Sequence, residues 1–419
     1  MPIKMNCSSY NSSCTAVYRK TGKHSASYVC LIALTLFMIV VFITSTLFTN
    51  QWSSAFTLSL LTLLFVYLLY KHIVFIKQDD IKKIILFLVF LLFGSISYFR
   101  SRYGLARLIG LSDILMLIAL FRKYPLREDE KHTVYKYFMI CVFFTLLYGA
   151  VIEYLNIGSI NTNTLGFLTA MALCVSFIYY IRRRILIVAI MMVVLGLLLL
   201  LVYKSRTSML CFAMFVFLYF LLRAKRKTSK KWSVFVCVLF LSVLGILFVY
   251  LYAKVLYPRV GTGHIIIFGK DIFSGRQNIW LFAFDLLDGN LIWGAGKNIV
   301  EEQQALGLLS VYTEMHNQPL GLIVGFGLIV FILFYIVFGI FVGSFYDKKN
   351  RYNRAPAIFI AVILIVSYFE VYFFSTYTWI PIMIAFGLIC GLSKNAGNEF
   401  NAKYRMHKRS QETIIITNE

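Results

Sequence analysis

The sequence is poor in charged residues for its length. Of its 419 residues, 14% are charged, 60% are hydrophobic and 17% are aromatic, whereas soluble domains carry about 25% charged residues. The mean hydropathy is +0.79. This composition argues against a soluble domain and predicts a protein with several membrane spans.

Acidic residues are especially scarce. Asp and Glu total 18 against 41 Lys and Arg, which gives a formal net charge of +23. In a soluble protein this excess would indicate nucleic-acid binding. Here the basic residues lie in short clusters between apolar runs, as in the positive-inside loops of membrane proteins. We therefore expect no nucleic-acid partner.

The sequence also lacks the usual marks of a metal or disulfide protein. The eight cysteines form no CxxC pair and no Cys/His cluster with zinc spacing, and most lie in apolar runs, where cysteine acts as a small hydrophobic residue. The predicted outer side has no DxD-like metal site and no carboxylate pair suited to two-acid glycoside hydrolysis. We expect no metal, no other cofactor and no disulfide framework.

Long apolar runs dominate what is present. Since a span needs about 20 apolar residues, the sequence predicts an all-α, polytopic fold with about twelve transmembrane helices. They are predicted at residues 28–49, 54–75, 84–99, 104–121, 134–153, 164–181, 185–203, 207–222, 232–252, 318–343, 355–374 and 378–393. Residues 1–27 and 394–419 are predicted tails. The region from 253 to 317 is the one larger loop, and it is predicted to be catalytic.

The distribution of Lys and Arg predicts the orientation. With both termini in the cytoplasm, most of the 41 basic residues lie on the inner side and the 253–317 loop lies outside. The exceptions, on the outer side, are Arg100, Arg102, Arg107, Lys204, Arg206, Lys254, Arg259, Lys270, Arg276 and Lys297. An anionic ligand would explain them, and so would contact with lipid headgroups. Headgroup contact is favoured for Lys254 and Arg259, and a ligand is favoured for Arg206, which lies in a tight turn at 203–208.

The 253–317 loop carries its own local order. A turn at 261–264 precedes a β-branched run at 265–268. Ser274 is placed to cap a helix over about 275–287 that lies on the membrane surface, and a second helix is predicted over 301–309. Gly294-Ala295-Gly296 predicts a turn. The run from Gly289 to Lys297 fails the phosphate-loop spacing, so ATP binding there is not expected.

Three titratable residues stand out next to or within apolar runs. His316 precedes the tenth span, and a histidine can take a proton from a hydroxyl near neutral pH. Its alternative reading is an interfacial residue with no chemical role. Asp113 and Glu370 lie inside apolar runs and are expected to pair or to line a cavity.

Several short motifs together resemble the O-antigen ligase and O-antigen polymerase family. They are Ser205-Arg206-Thr207, Ser274-Gly275-Arg276 with Trp280, Gly294-x-Gly296, and His316-Asn317 before a Gly-rich span. The motif order, the twelve-span layout and the outer loop match over roughly residues 160–345, while the first spans match only in hydropathy. The resemblance implies a metal-independent glycosyltransferase at the outer face of the bacterial inner membrane. Its donor would be a glycan carried on undecaprenyl pyrophosphate.

The resemblance also implies roles for individual residues. Arg206 and Arg276 would hold the donor pyrophosphate, because the planar guanidinium makes bidentate contacts with phosphate oxygens. His316 would deprotonate or orient the acceptor hydroxyl, so these three are the candidate catalytic residues. The candidate substrate-binding residues are Lys204, Trp280, Lys297, Asn317 and Arg102.

Three functions remain open at this point. The preferred one is a polymerase of lipid-linked repeat units of O-antigen, capsule or exopolysaccharide, and the first alternative is a ligase that transfers the glycan to lipid A–core. The second is a lipid-linked glycan flippase, which would place polar residues near the membrane midplane and often show inverted repeats. The expected partners are the lipid-linked oligosaccharide, a glycan acceptor, membrane lipid, a chain-length regulator and a flippase.

Overall fold

The structure is a computed structural model. It describes residues 35, 78–101, 104–123, 126, 128–155, 162–183, 185–202, 205–224, 231–260, 266–267, 270–271, 276–296, 316–345, 354–374 and 376–394. The predicted spans 28–49 (Thr35 apart) and 54–75 lie outside the described residues. So do the predicted N-terminal tail, the predicted C-terminal tail apart from Lys394, the turn at 261–264, Ser274 and the predicted helix at 301–309.

The described chain is built mainly of helices. They are α1 (Gln78–Ser101), α2 (Leu105–Lys123), α3 (Glu128–Tyr154), α4 (Thr162–Arg182), α5 (Leu186–Val202), α6 (Arg206–Ala224), α7 (Lys231–Tyr250), α8 (Tyr257–Val260), α9 (Arg276–Leu286), α10 (Gln318–Gly343), α11 (Ala355–Val366) and α12 (Thr376–Lys394). A π-helical turn, Leu251–Leu256, joins α7 to α8. Two short strands, β1 (Ile266–Ile267) and β2 (Lys270–Asp271), pair antiparallel, and β1 lies within the predicted β-branched run.

Five of the described helices are long and apolar enough to cross a membrane. These segments are Ile81–Arg100, Glu130–Ile152, Asn163–Arg182, Ser233–Leu256 and Gln318–Gly343, and four shorter helices are also apolar. The segment in α4 is 89% buried inside the bundle and the segment in α1 only 22%, so α4 is central and α1 peripheral. The predicted helical, multi-span architecture is confirmed for the described residues, whereas the count of twelve spans is not confirmed.

The helix ends gather at two ends of the bundle. At one end, which we call the inner end, Arg182 donates to the Ser393 carbonyl at 3.0 Å and Arg354 to the Leu222 carbonyl. At the other, which we call the outer end, the side chain of Asn317 donates to the Tyr368 carbonyl at 3.0 Å. The names follow the predicted orientation. Loops predicted on the same side of the membrane therefore contact one another.

One predicted span is shorter than expected. The sequence predicts a span over 355–374, but α11 ends at Val366 and residues 367–374 cross the outer end as turns and irregular backbone. The hydrophobic run is continuous, so hydropathy alone does not reveal the break. Here the carbonyls of Ser367, Tyr368 and Phe369 accept hydrogen bonds from other parts of the chain, which compensates for the lost helical bonds.

A second break lies inside α10. Gly327 has φ 85° and ψ 170°, and a Cβ at this position would lie 2.1 Å from the Ile292 carbonyl oxygen. Only glycine allows this backbone angle and this approach. The interruption lets the segment 291–296 dock by backbone bonds, from Ala295 N to Val324 O at 2.8 Å and from Leu328 N to Leu291 O at 2.9 Å.

Ser97 of α1 fastens this docked segment. Its hydroxyl is within hydrogen-bond distance of the Trp293 carbonyl, at 2.9 Å, and of the Phe326 carbonyl, at 2.8 Å. The predicted turn at Gly294-Ala295-Gly296 is confirmed, since both glycines have positive φ. The turn belongs to the helical bundle rather than standing apart as a separate loop.

Candidate functional site

His316 is held by an unusually well-anchored helix start. Asn317 is the N-cap of α10: its side-chain oxygen accepts from Leu320 N at 2.8 Å, and its amide donates to Tyr368 O. It is fully buried. His316, directly before it, has φ 48° and is the only non-glycine residue with positive φ among the described residues. Such a conformation is uncommon and persists where surrounding contacts enforce it.

Glu370 joins His316 to Arg276. Its Oε1 lies 2.8 Å from Arg276 Nη2, and its Oε2 lies 3.3 Å from His316 Nδ1. Arg276 Nη1 also donates to the Phe369 carbonyl. The side chains of Arg276, Glu370 and His316 are 13%, 15% and 26% exposed. The three side chains thus form one partly buried cluster at the outer end, and His316 is its most accessible member.

The contacts around Glu370 favour its ionised form. Burial raises the pKa of this carboxyl, but the hydrogen bond from His316 and the charge of Arg276 outweigh burial, so the pKa falls below its ordinary value of 4.5. Near neutral pH Glu370 is therefore a carboxylate. A carboxylate opposite Nδ1 favours the histidine tautomer that carries its proton on that nitrogen.

Arg276 is positioned by helix α9. This helix confirms the predicted helix at about 275–287 and begins at Arg276 itself. Ile279, Trp280 and Ala283 are buried in a cluster with residues of α7, the π-helical turn and α10. Trp280 is fully buried, with its ring edge-on to Tyr252 at 6.0 Å between centroids. In this conformation Trp280 anchors α9 in the hydrophobic cluster and so positions Arg276. Its predicted contact with substrate stays a prediction.

Arg206 lies at the same end, on another element. It is the first residue of α6 and is half-buried. The hydroxyls of Ser205 and Ser208 lie 2.7 Å apart, and Ser205 packs on Gly166, where a Cβ would lie only 2.5 Å from the serine Cβ. This close approach packs Ser205, directly before α6, against α4.

Tyr372 connects that turn to the cluster. Its ring stacks on Phe167, the neighbour of Gly166, with centroids 4.1 Å apart. It lies two residues after Glu370 and within electrostatic range of both Glu370 and Arg276. The structure therefore brings His316 and Arg276 into one cluster, and the Tyr372 ring packs on Phe167 next to the position in α4 that Ser205 contacts.

Glu370 is the residue that sequence reasoning left out of the site. It was expected only to pair or to line a cavity, and the pairing is confirmed. An acid within an apolar run was the one sequence feature that marked it. Lys204, Lys297 and Arg102 lie outside the described residues. The side chain of Asn317 caps and ties the helix start here, so a direct contact between Asn317 and substrate stays a prediction.

The arrangement can perform acid–base chemistry next to an anion. A carboxylate that accepts from one ring nitrogen of a histidine directs the other nitrogen to act as a base, and guanidinium groups hold phosphate. In the part of the chain that the structure describes, no three His, Cys, Asp or Glu side chains are grouped to hold a metal ion.

Comparison with known proteins identifies a family region. Residues 191–335 match the protein-family model described as O-Antigen ligase. The matched range contains Arg206, Arg276 and His316 and ends before Glu370. No curated protein and no solved structure matches the chain. The family match confirms the resemblance seen in the motifs, and the apolar helices agree with a protein that crosses a membrane several times.

Proposed function

We propose that this chain, whose residues 191–335 match the O-antigen ligase family, is a membrane glycosyltransferase that acts on glycans linked to polyprenyl diphosphate. It works at the outer face of the inner membrane. The observation that carries the proposal is the carboxylate of Glu370, which holds His316 at 3.3 Å and Arg276 at 2.8 Å. A base and a cation thus lie side by side, as transfer of a sugar from a diphosphate requires.

In the proposed reaction, an acceptor hydroxyl attacks the anomeric carbon of the donor sugar. The bond from this carbon to the diphosphate oxygen breaks, and the hydroxyl proton passes to Nε2 of His316, whose Nδ1 proton is held by Glu370. General-base catalysis of this kind contributes about 10²–10⁴-fold. The leaving lipid diphosphate takes the electron pair. Because the donor carries the leaving group, no nucleotide is needed.

Arg276 has two tasks in this scheme. Its guanidinium donates to the Glu370 carboxylate and to the Phe369 carbonyl, and a guanidinium has more N–H donors than these two contacts use. The remaining donors face the charge that develops on the diphosphate. Arg206 supplies the second cation, from the start of α6, where the helix dipole also favours an anion.

We favour repeat-unit polymerisation, in which the acceptor is the sugar end of a second lipid-linked unit. The match to the O-antigen ligase family favours ligation to lipid A–core as the second candidate. Deleting the gene separates them. A polymerase mutant still displays single repeats on the core, whereas a ligase mutant displays none. A chain-length regulator and a flippase stay predicted partners.

Complementation of the deletion strain tests the assigned residues. We expect the wild-type gene to restore the glycan ladder and His316→Ala and Arg276→Ala to fail, although both proteins reach the membrane at normal levels. Asp285→Asn in α9 is the matched control, because this exposed carboxylate pairs with Lys254 at the surface. A full glycan ladder in the strain complemented with His316→Ala would refute the assignment of His316 as the general base. Formation of long glycan by purified protein without a gradient would exclude transport.

A further inference from the structure

Gln318, two residues after His316, holds both ends of the segment that carries Glu370. Its backbone N–H donates to the Ser367 carbonyl at 2.8 Å. Its side-chain Oε1 accepts from the backbone N–H of Phe373 at 2.9 Å. Gln318, Ser367 and Phe373 are all fully buried, so bulk water does not compete with either bond.

These two bonds close the segment into a loop. Fully extended, the backbone from Ser367 to Phe373 would span about 20 Å. In the structure both residues bond to the same glutamine, so the backbone doubles back between them and Glu370 lies midway along the loop. Non-helical backbone of this kind is tolerated in a membrane protein where other protein groups satisfy its polar atoms.

The loop is fastened to the two residues that directly follow His316. Gln318 bonds to both of its ends, and the side chain of Asn317 donates to the Tyr368 carbonyl at 3.0 Å. The Glu370 carboxylate, 3.3 Å from His316 Nδ1, is thus placed by bonds to the chain neighbours of the histidine itself. The position of the acid relative to the imidazole is therefore set from the start of α10.

Other contacts hold the same loop to helices that do not carry His316. Arg276 of α9 donates to its carboxylate, and the hydroxyl of Thr378 in α12 donates to the Tyr372 carbonyl at 2.6 Å. These bonds keep the loop at the outer end of the bundle, whereas Gln318 attaches it beside the histidine.

We propose that Gln318 is a positioning residue for the general base: it sets the contact between Glu370 and His316 and acts through that contact rather than on the substrate. This inference rests on the proposed function and adds to it the group that orients the acid. A displacement of about 1 Å at a reacting group can lower a rate about 10²-fold, so a lost bond at Gln318 should be visible in the chemical step.

Two variants remove the bond to Phe373 in different ways. Gln318→Met keeps the length of the side chain but has no acceptor oxygen, and Gln318→Asn keeps the amide but is one methylene too short to reach. With purified protein in nanodiscs and lipid-linked repeat units, we expect both to lower the maximal single-turnover rate of transfer about 10²-fold. The repeat-unit concentration that gives half the maximal rate should not change, because a displaced base weakens the chemical step and not binding. Gln277→Met is the matched control, since Gln277 of α9 is also buried and its Oε1 has no hydrogen-bond partner among the described residues. It should keep the wild-type rate.

A double variant separates positioning from a general loss of stability. If Gln318 acts through Glu370, adding Gln318→Met to Glu370→Gln should lower the rate no further than Glu370→Gln does alone. A residue with a purely structural role would instead give two reductions that multiply. Multiplied reductions, or a wild-type rate in Gln318→Met, would overturn the inference. If His316→Ala is inactive in the same assay, the proposed function stands in either case.

Nitrogen NMR of isotope-labelled histidine reports the contact directly. The chain has six histidines, and the signal of His316 is the one that disappears in His316→Ala. In the wild type this signal should show the tautomer protonated at Nδ1, which a carboxylate partner favours, and in Gln318→Met a mixture of both tautomers. Gln277→Met should keep the wild-type signal. An unchanged tautomer in Gln318→Met would overturn the inference, since Glu370 would then stay in place without Gln318. Failure of both Gln318 variants to fold, when Gln277→Met folds, would also overturn it, because the role of Gln318 would then be structural.

Discussion

Replacing Glu370 by Gln tests the central cluster through a residue that the motifs did not predict. Gln has nearly the same shape but no charge. Arg276 would lose its ion pair at 2.8 Å, and His316 would lose the carboxylate at 3.3 Å. The substitution should therefore affect folding stability and the chemical step together, through two different contacts of one side chain.

The two effects have different sizes. Loss of a charge-assisted hydrogen bond to a largely buried arginine should destabilise the protein by about 1.5–3 kcal/mol. The rate of transfer should fall by roughly 10²–10⁴-fold, the usual contribution of a general base. The first effect is modest enough for the variant to fold, so the rate can be measured on intact protein.

The assay is single-turnover transfer by purified protein in nanodiscs, with thermal unfolding measured on the same samples. Asp285→Asn is the control, because its ion pair with Lys254, also at 2.8 Å, has side chains that are 68% and 37% exposed, and such surface pairs contribute about 0–1 kcal/mol. If Glu370→Gln keeps the wild-type rate and stability, Glu370 does not orient His316, and the reasoning fails.

Four further outcomes follow from the same contacts. Contacts with His316 and Arg276 lower the pKa of Glu370 from 4.5, so its contribution to stability is fully present above the unfolded-state pKa and is lost as pH falls through the folded-state pKa. The difference in unfolding temperature between wild type and Glu370→Gln should therefore begin to shrink below about pH 4. Gly327→Ala places a Cβ 2.1 Å from the Ile292 carbonyl oxygen and should prevent normal folding, which size-exclusion chromatography would show as aggregation. Gly289→Ala is the control, because Gly289 also has positive φ but its Cβ would have no atom within 4 Å. This control should lower the free energy of unfolding by only about 1 kcal/mol. Asn317→Ala removes the α10 cap and the bond to Tyr368 and should lower stability by about 1–3 kcal/mol; unchanged thermal unfolding would contradict this structural role. Arg206→Lys should reduce transfer with little change in unfolding temperature, because a point charge replaces a fork, and full activity would argue for simple headgroup contact.

Hydropathy predicted most of the architecture, because apolar runs of sufficient length form helices in a membrane whatever their neighbours. The hydropathy prediction was wrong at residues 367–374, where the sequence stays apolar but the backbone is no longer helical. What decides that break is tertiary: Asn317, Arg276 and the Gln318 backbone supply donors for the freed carbonyls. No local pattern contains this information.

The site was only partly predictable for a similar reason. His316 and Arg276 belong to short motifs, so the sequence marked them, and the structure places them on one carboxylate. Glu370 lies 54 positions after His316, and only its charge within an apolar run marked it. The docking of 291–296 into α10 depends on the conformation of Gly327, which a glycine in the sequence permits but does not specify.

The most direct measurement is transfer by purified protein supplied with only two substrates: a lipid-linked donor whose terminal sugar hydroxyl is blocked, and an acceptor joined to its lipid by a non-cleavable phosphonate. The account predicts that wild type forms linked glycan and releases polyprenyl diphosphate in equal amounts, and that His316→Ala does neither above background. Equal turnover by His316→Ala and wild type would contradict a base at this position and, with it, the assigned reaction.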